Sequence, residues 1–197
     1  MSLILASTSP WRASMLRDAG VTIETIAPGV DEDEVKAAMR AEGAPARDQA
    51  DMLAELKARR VSSRAPGVLV LGADQVLEFE GEAFDKPADR AAAREALIRL
   101  RGQRHELLSA AVIALDGAPI WRHVGRARLF MRPFSDDFLD DYLDRIGEDA
   151  LRTPGAYALE GLGAQLFSRV DGDYFTILGL PLIETLGFLR TRGLLIE

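Results

Sequence analysis

The stretch Val68-Leu69-Val70-Leu71-Gly72-Ala73-Asp74-Gln75-Val76, followed by Asp85-Lys86-Pro87, decides how this chain is read. Four β-branched or aliphatic residues in a row, Val68 to Leu71, read as a buried strand. In an open α/β sheet, ligands bind just past the carboxyl ends of such strands. Gly72 and Ala73 are small, so they deliver the Asp74 carboxylate to that end. Lys86 then supplies a positive charge and Pro87 ends the segment. An acid and a base held close by a short β excursion suit a metal ion and a phosphate together. The same spacing also describes a surface aspartate in a strand-end turn beside a solvated lysine.

Composition sets the bounds. The chain has 197 residues, 48% of them hydrophobic and 28% charged, with a formal net charge of −7. That length suits one domain, residues 1–197, which has room for two lobes. The acidic balance argues against coating nucleic acid, which needs a basic face, but leaves room for a small phosphate ligand in a local basic pocket. There is no cysteine, hence no disulfide, thiolate nucleophile or thiolate zinc site. The two histidines, His105 and His123, are isolated in sequence, which gives poor support to a zinc hydrolase or a serine–histidine triad. No apolar run approaches the ~18 residues that span a membrane. Met-Ser-Leu-Ile-Leu-Ala-Ser lacks the basic flank and length of a signal peptide. The expectation is a cytoplasmic enzyme or binding protein with no membrane partner.

Along the chain, Leu3 to Ala6 reads as a short buried strand running into Ser7-Thr8-Ser9-Pro10-Trp11-Arg12. Ser9 fits an N-cap and Pro10 the first helical position. Ser7, Ser9 and Arg12 thus cluster at a helix N-terminus, where hydroxyls, free N–H groups, the helix dipole and a guanidinium favour an anion. A capped helix with an exposed arginine is the plainer alternative. Val21 to Ile26 alternates like a strand. Asp31-Glu32-Asp33-Glu34 opens a helix, its acids complementing the dipole, with Asp31 or Glu32 also available to a metal. A helix from Ala46 to Arg60 carries Met52, Leu53 and Leu56 on one side. Lys57 sits beside that stripe, either snorkelling to water or pointing into a site.

Val76 to Phe79 pairs onward from the central strand, and Gly81 marks a turn. A helix spans Pro87 to Arg101. Glu106 to Leu115 and Pro119 to Met131 read as strands joined by the hairpin signal Asp116-Gly117. Ser135 precedes an acidic helix, Asp136 to Ile146. The segment Gly155-Ala156-Tyr157-Ala158-Leu159-Glu160-Gly161 is glycine-rich, so its backbone can approach a ligand closely. Glu160 there either reads a ligand edge or is an exposed loop acid. Gln165 to Val170 is strand-like, Asp171-Gly172-Asp173 turns, and Leu182 to Arg192 closes the chain as a helix. Strands and helices in alternation, with one antiparallel hairpin, predict an α/β fold with a mixed twisted sheet and flanking helices.

Four segments in register resemble the Maf family of nucleoside triphosphate pyrophosphatases. They are Leu5 to Arg12, Asp31-Glu32, Gly72 to Val76 with Lys86-Pro87, and Gly155-Ala156-Tyr157 through Gly161 with Gly172-Asp173 and Gly179-Leu180-Pro181-Leu182. Lys57 also falls where that family carries a helix lysine. The resemblance implies an elongated two-lobed fold, like that of Maf proteins and inosine triphosphatases, with a central cleft. It implies a divalent cation (Mg²⁺, Mn²⁺ or Co²⁺) and hydrolysis of a nucleotide to its monophosphate and pyrophosphate. A homodimer is retained as the candidate assembly, with a small nucleotide as the only other partner.

Three positions depart from the family's commoner pattern. Trp11 stands where many members have Arg, Gln75 where many have Thr, and Glu160 where many have Gln. The commoner set resembles dTTP and UTP pyrophosphatases, and the set found here resembles the branch acting on 7-methyl-GTP. Physical chemistry agrees. N7-methylation makes guanine cationic, and a cation over a Trp face gains about 0.5–2 kcal/mol. Guanine also presents N1–H and N2–H on one edge, which a carboxylate accepts in charge-assisted bonds worth about 1.5–3 kcal/mol each. The two carbonyls of uracil or thymine would be repelled by Glu160. Alternatively, Trp11 merely packs between the lobes.

The resemblance then gives Asp74 as general base on the attacking water, with Asp74 and Glu32 sharing the metal. Ser7, Ser9, Arg12, Lys57 and Lys86 hold the phosphates, and Trp11, Gln75 and Glu160 read the base. Two other readings stay open. One is a house-cleaning pyrophosphatase for other non-standard nucleotides or for dTTP and UTP. The other is a non-catalytic nucleotide-binding regulator of cell division, against which the intact Asp74, Lys57 and Lys86 count.

Overall fold

A computed structural model describes residues 3–196. The quoted stretch becomes β3 (Val70–Phe79), ten residues long and buried through Asp74. Its neighbours follow from the local sequence. The apolar tetrapeptide LILA is β1 (Leu3–Ala6), and a short segment after Gly20 is β2 (Ile23–Thr25). β1 pairs parallel with both, Leu3 opposite Ile23 and Ile4 opposite Val70. Further on lie β4 (Glu82–Phe84), β5 (Arg104–Leu115), β6 (Ala118–Met131) and β7 (Phe167–Asp171). The seven strands form one mixed sheet in the order β2-β1-β3-β5-β6-β7, with β4 antiparallel to β3. β7 pairs antiparallel with β6 across an irregularity at Phe130/Met131.

The helices are α1 (Pro10–Asp18), α2 (Glu32–Ala41), α3 (Ala46–Ser62), α4 (Arg90–Leu100), α5 (Asp136–Ile146), α6 (Tyr174–Ile177) and α7 (Leu182–Thr191). Five begin on a side-chain cap: Ser9, Asp31, Asp89, Ser135 and Asp173 each accept from a backbone N–H of the first turn. The β5–β6 hairpin turns at Asp116 and Gly117, both left-handed with φ of 51° and 79°. That is the geometry an Asp-Gly pair is chosen for. The alternation at Val21 to Ile26 yields only the three-residue β2. The two strands expected on either side of Gln75 are one continuous β3.

By contacts the chain forms two units. The first holds residues 1–75, 108–125 and 173–197, and the second 76–107 and 126–172. The first unit packs Leu3, Leu5, Leu16, Leu71, Ile113 and Leu189, all fully buried, into one core. The second buries Leu97, Leu100, Leu129, Leu139 and Tyr142. No helix among the described residues is long and apolar enough to cross a membrane.

Candidate active site

Close packing of α3 on β3 creates the site. A Cβ at Gly72 would stand 2.2 Å from the Ala54 carbonyl oxygen and 2.6 Å from the Ala58 amide nitrogen. Only glycine fits there, and the facing helix answers with alanines four residues apart. Lys57, next to Ala58, is thereby drawn inward and is only 4% exposed. Its Nζ donates to Asp74 Oδ1 at 2.6 Å and lies 2.8 Å from Glu32 Oε1. Asp74 is itself 5% exposed. Lys57 therefore does not snorkel to water but turns inward onto Asp74 and Glu32.

Glu32 is the first residue of α2, set by the Asp31 cap, whose Oδ1 accepts from the Glu34 N–H at 3.1 Å. Burial alone would raise the Glu32 carboxyl pKa. The charge and hydrogen bond of Lys57, with Lys36 and Arg12 beyond, outweigh it and hold the carboxyl below its usual range.

Arg12 reaches the same cluster from α1. Its Nε donates to the Gly179 carbonyl at 2.8 Å, and its Nη1 to the Ala73 carbonyl at 2.9 Å and to Ser7 Oγ at 3.5 Å. Burial draws its pKa down, opposed by the charges of Asp74 and Glu32. Ser7 Oγ also accepts from the Ser9 N–H at 3.1 Å, and the Ser9 hydroxyl accepts from the Arg12 N–H at 3.4 Å. The two serines therefore shape the strand-to-helix turn, as their spacing suggests.

Two cations, Arg12 and Lys57, thus face two carboxylates, Asp74 and Glu32. One atom is left over: Asp74 Oδ2 is buried without a hydrogen-bond partner. A sealed, ionisable oxygen with no donor is costly unless something else meets it. Its chemistry is that of an acceptor for a water proton or a ligand for a hard cation. Among the described residues no group of three or more His, Asp and Glu side chains is arranged to hold a metal. The protein offers the pair Asp74 and Glu32, and a small cation that keeps waters and substrate oxygens needs no more.

Gln75 points the other way from Asp74, as strand alternation requires. Its Nε2 donates to Ser109 Oγ at 3.0 Å, the Thr176 carbonyl at 3.1 Å and the Ile177 carbonyl at 2.9 Å. Trp11 is 37% exposed on the first turn of α1. Lys86 and Glu160 belong to the second unit and are exposed in it. Sequence reasoning missed Ser109 and the carbonyls of residues 73, 176, 177 and 179. Carbonyl positions leave no trace in sequence. Ser109 had one, a lone hydroxyl inside the apolar run Leu107 to Leu115.

The scaffold is therefore that of a mixed-sheet α/β protein that buries the Asp74 carboxylate, midway along β3, beside Lys57. The family model described as "Maf-like protein" matches residues 2–192, so the chain belongs to the Maf family. It is 53% identical over 195 residues to a "Nucleoside triphosphate pyrophosphatase" of Hyphomonas neptunium, covering 99% of this chain and 98% of that one. Proteins of the same name from Roseobacter denitrificans and Caulobacter vibrioides are 54% and 53% identical over 191 residues, each covering 97% of this chain and 96% of theirs.

Proposed function

We propose that this chain, as one Maf-like domain over residues 1–197, is a nucleoside triphosphate pyrophosphatase, a hydrolase of acid anhydrides, with 7-methyl-GTP as its preferred substrate. The observation carrying the reading is the Asp74 carboxylate, with Oδ1 tied to Lys57 and Oδ2 buried and unpaired. Water attacks the α-phosphorus, and a new P–O bond forms as the bond to the bridging oxygen breaks. Pyrophosphate leaves and the water proton passes to Asp74 Oδ2. Lys57 keeps the carboxylate oriented. Arg12 holds phosphate oxygens with the donor capacity that Gly179 and Ala73 leave over, and Ser7 and Ser9 support it at the helix N-terminus. Asp74 and Glu32 would hold a divalent cation, Mg²⁺, Mn²⁺ or Co²⁺, which when bound neutralises charge developing on the phosphates. Lys86 as a phosphate contact and Glu160 as a base contact rest on the family resemblance. Trp11, Gln75 and Glu160 together favour a cationic, donor-bearing guanine over a pyrimidine.

Pyrophosphate release from 7-methyl-GTP, GTP, dTTP, UTP and inosine triphosphate, with each cation, tests the proposal. 7-Methyl-GTP should give the highest kcat/KM. Asp74→Asn should cut kcat by at least ~100-fold while nucleotide affinity changes little, and near-native turnover would remove Asp74 from the chemistry. The paired exchange Trp11→Arg and Glu160→Gln should move preference toward dTTP and UTP. An unaltered ranking would refute the base-recognition part alone.

A further inference from the structure

Gln75 is bound to the fold in a way that fixes what it can say to a ligand. Its side chain carries two N–H donors and one acceptor oxygen. The donors face three acceptors: the carbonyls of Thr176 and Ile177, which accept only, and Ser109 Oγ. The Ser109 hydroxyl cannot serve as a donor to Gln75, because it donates to the Thr176 carbonyl at 2.6 Å and Ser109 is fully buried. A flipped amide would set its oxygen against two carbonyl oxygens and lose every one of these bonds. The turn supplying the carbonyls is itself held. Asp173 caps α6 by accepting from the Phe175 and Thr176 N–H groups at 2.9 and 3.0 Å. Thr176 is buried, and its hydroxyl side packs where a Cβ on Gly125 would come within 2.5 Å of Oγ1. Among the described residues Gln75 Oε1 accepts no hydrogen bond, and it is not one of the buried unpaired atoms.

We propose that Ser109 and the Asp173-capped α6 turn are positioning residues for Gln75, locking its amide so that Oε1 alone is offered to the substrate. Position 75 therefore selects a nucleobase bringing an N–H donor and rejects one bringing a carbonyl. Threonine there would carry a hydroxyl able to serve as either donor or acceptor, and would not discriminate in this way. Glu160, for reasons of charge, asks for donors as well, so both positions point to an amine-bearing purine. The inference deepens the proposed function and rests on its assignment of residue 75 to base recognition.

The test uses the full chain and compares GTP with xanthosine triphosphate, in which the purine 2-amino donor is replaced by a carbonyl. Wild type should prefer GTP. Ser109→Ala should narrow the GTP-to-xanthosine ratio of kcat/KM by ~5-fold or more, through a raised KM for GTP with kcat within about twofold. Asp173→Ala removes the cap that holds the α6 turn and should narrow the ratio in the same way, while Asp173→Asn, which keeps an acceptor oxygen for the Phe175 and Thr176 N–H groups, should restore it. The Asp173 pair decides the matter should Ser109→Ala fail to fold. A ratio unmoved in Ser109→Ala or in Asp173→Ala would make Gln75 a structural strut and overturn the inference. Pyrophosphate release by wild type would then still stand. Its absence with every nucleotide would instead refute the activity itself.

Discussion

Replacing Gly72 with alanine should damage stability and turnover together, because one contact serves both. The added Cβ would sit 2.2 Å from the Ala54 oxygen and 2.6 Å from the Ala58 nitrogen. Both are backbone atoms of α3, so no side chain can swing away. Reaching even ~3 Å requires the helix to retreat by about 0.8 Å. Overpacking costs roughly 1–3 kcal/mol, and a rigid backbone obstacle belongs at the upper end. For a chain of this size ~3 kcal/mol corresponds to a fall of about 6–12 °C in Tm. The same retreat stretches the 2.6 Å bond from Lys57 to Asp74, since Lys57 adjoins Ala58 in the displaced turn. A misplacement of ~1 Å at a reacting group costs on the order of 100-fold in rate. Thermal unfolding followed by circular dichroism, with pyrophosphate release on the same preparation, measures both. A Gly72→Ala protein melting within ~2 °C of wild type with kcat within twofold would show that α3 does not rest on Gly72 as described.

Two further outcomes follow from other parts of the fold. Gly187 lies inside α7 with φ outside the left-handed region and nothing within 4 Å of its missing Cβ, so Gly187→Ala should raise stability by about 0.5–1 kcal/mol in urea unfolding. His105 is 1% exposed, its Nε2 lies 2.6 Å from the Tyr157 hydroxyl, and burial lowers its pKa to about 4. Below the usual value of 6.5 the unfolded chain takes up a proton that the folded chain refuses, so stability present above pH 6.5 is lost as pH falls toward 4, by roughly 3 kcal/mol in all. His105→Gln keeps a hydrogen bond to Tyr157 and should flatten the stability profile between pH 6.5 and 4.5; an identical slope in both proteins would assign the loss to another group.

What sequence alone disclosed divides along physical lines. Local chemistry was legible: the caps at Ser9 and Ser135, the Asp116-Gly117 turn and the buried strand leading into Asp74 each depend on a few neighbouring residues, although that strand runs on to Phe79 and does not end at Asp74. The one-turn α6 was not, because four residues carry no period to detect. Lys57 illustrates the boundary. Its place beside an apolar stripe allowed an outward or an inward course, and the inward one follows from Gly72 meeting Ala54 and Ala58 across 14 to 18 positions of chain. Charge completes the argument. Arg12 and Lys57 roughly balance Asp74 and Glu32, so this cluster is near neutral before any ligand arrives. A triphosphate brings several negative charges that such a cluster cannot offset, and uncompensated charge in a buried site is expensive. Under the proposed function the balance must therefore come from a cation arriving with the nucleotide beside the Asp74 and Glu32 carboxylates.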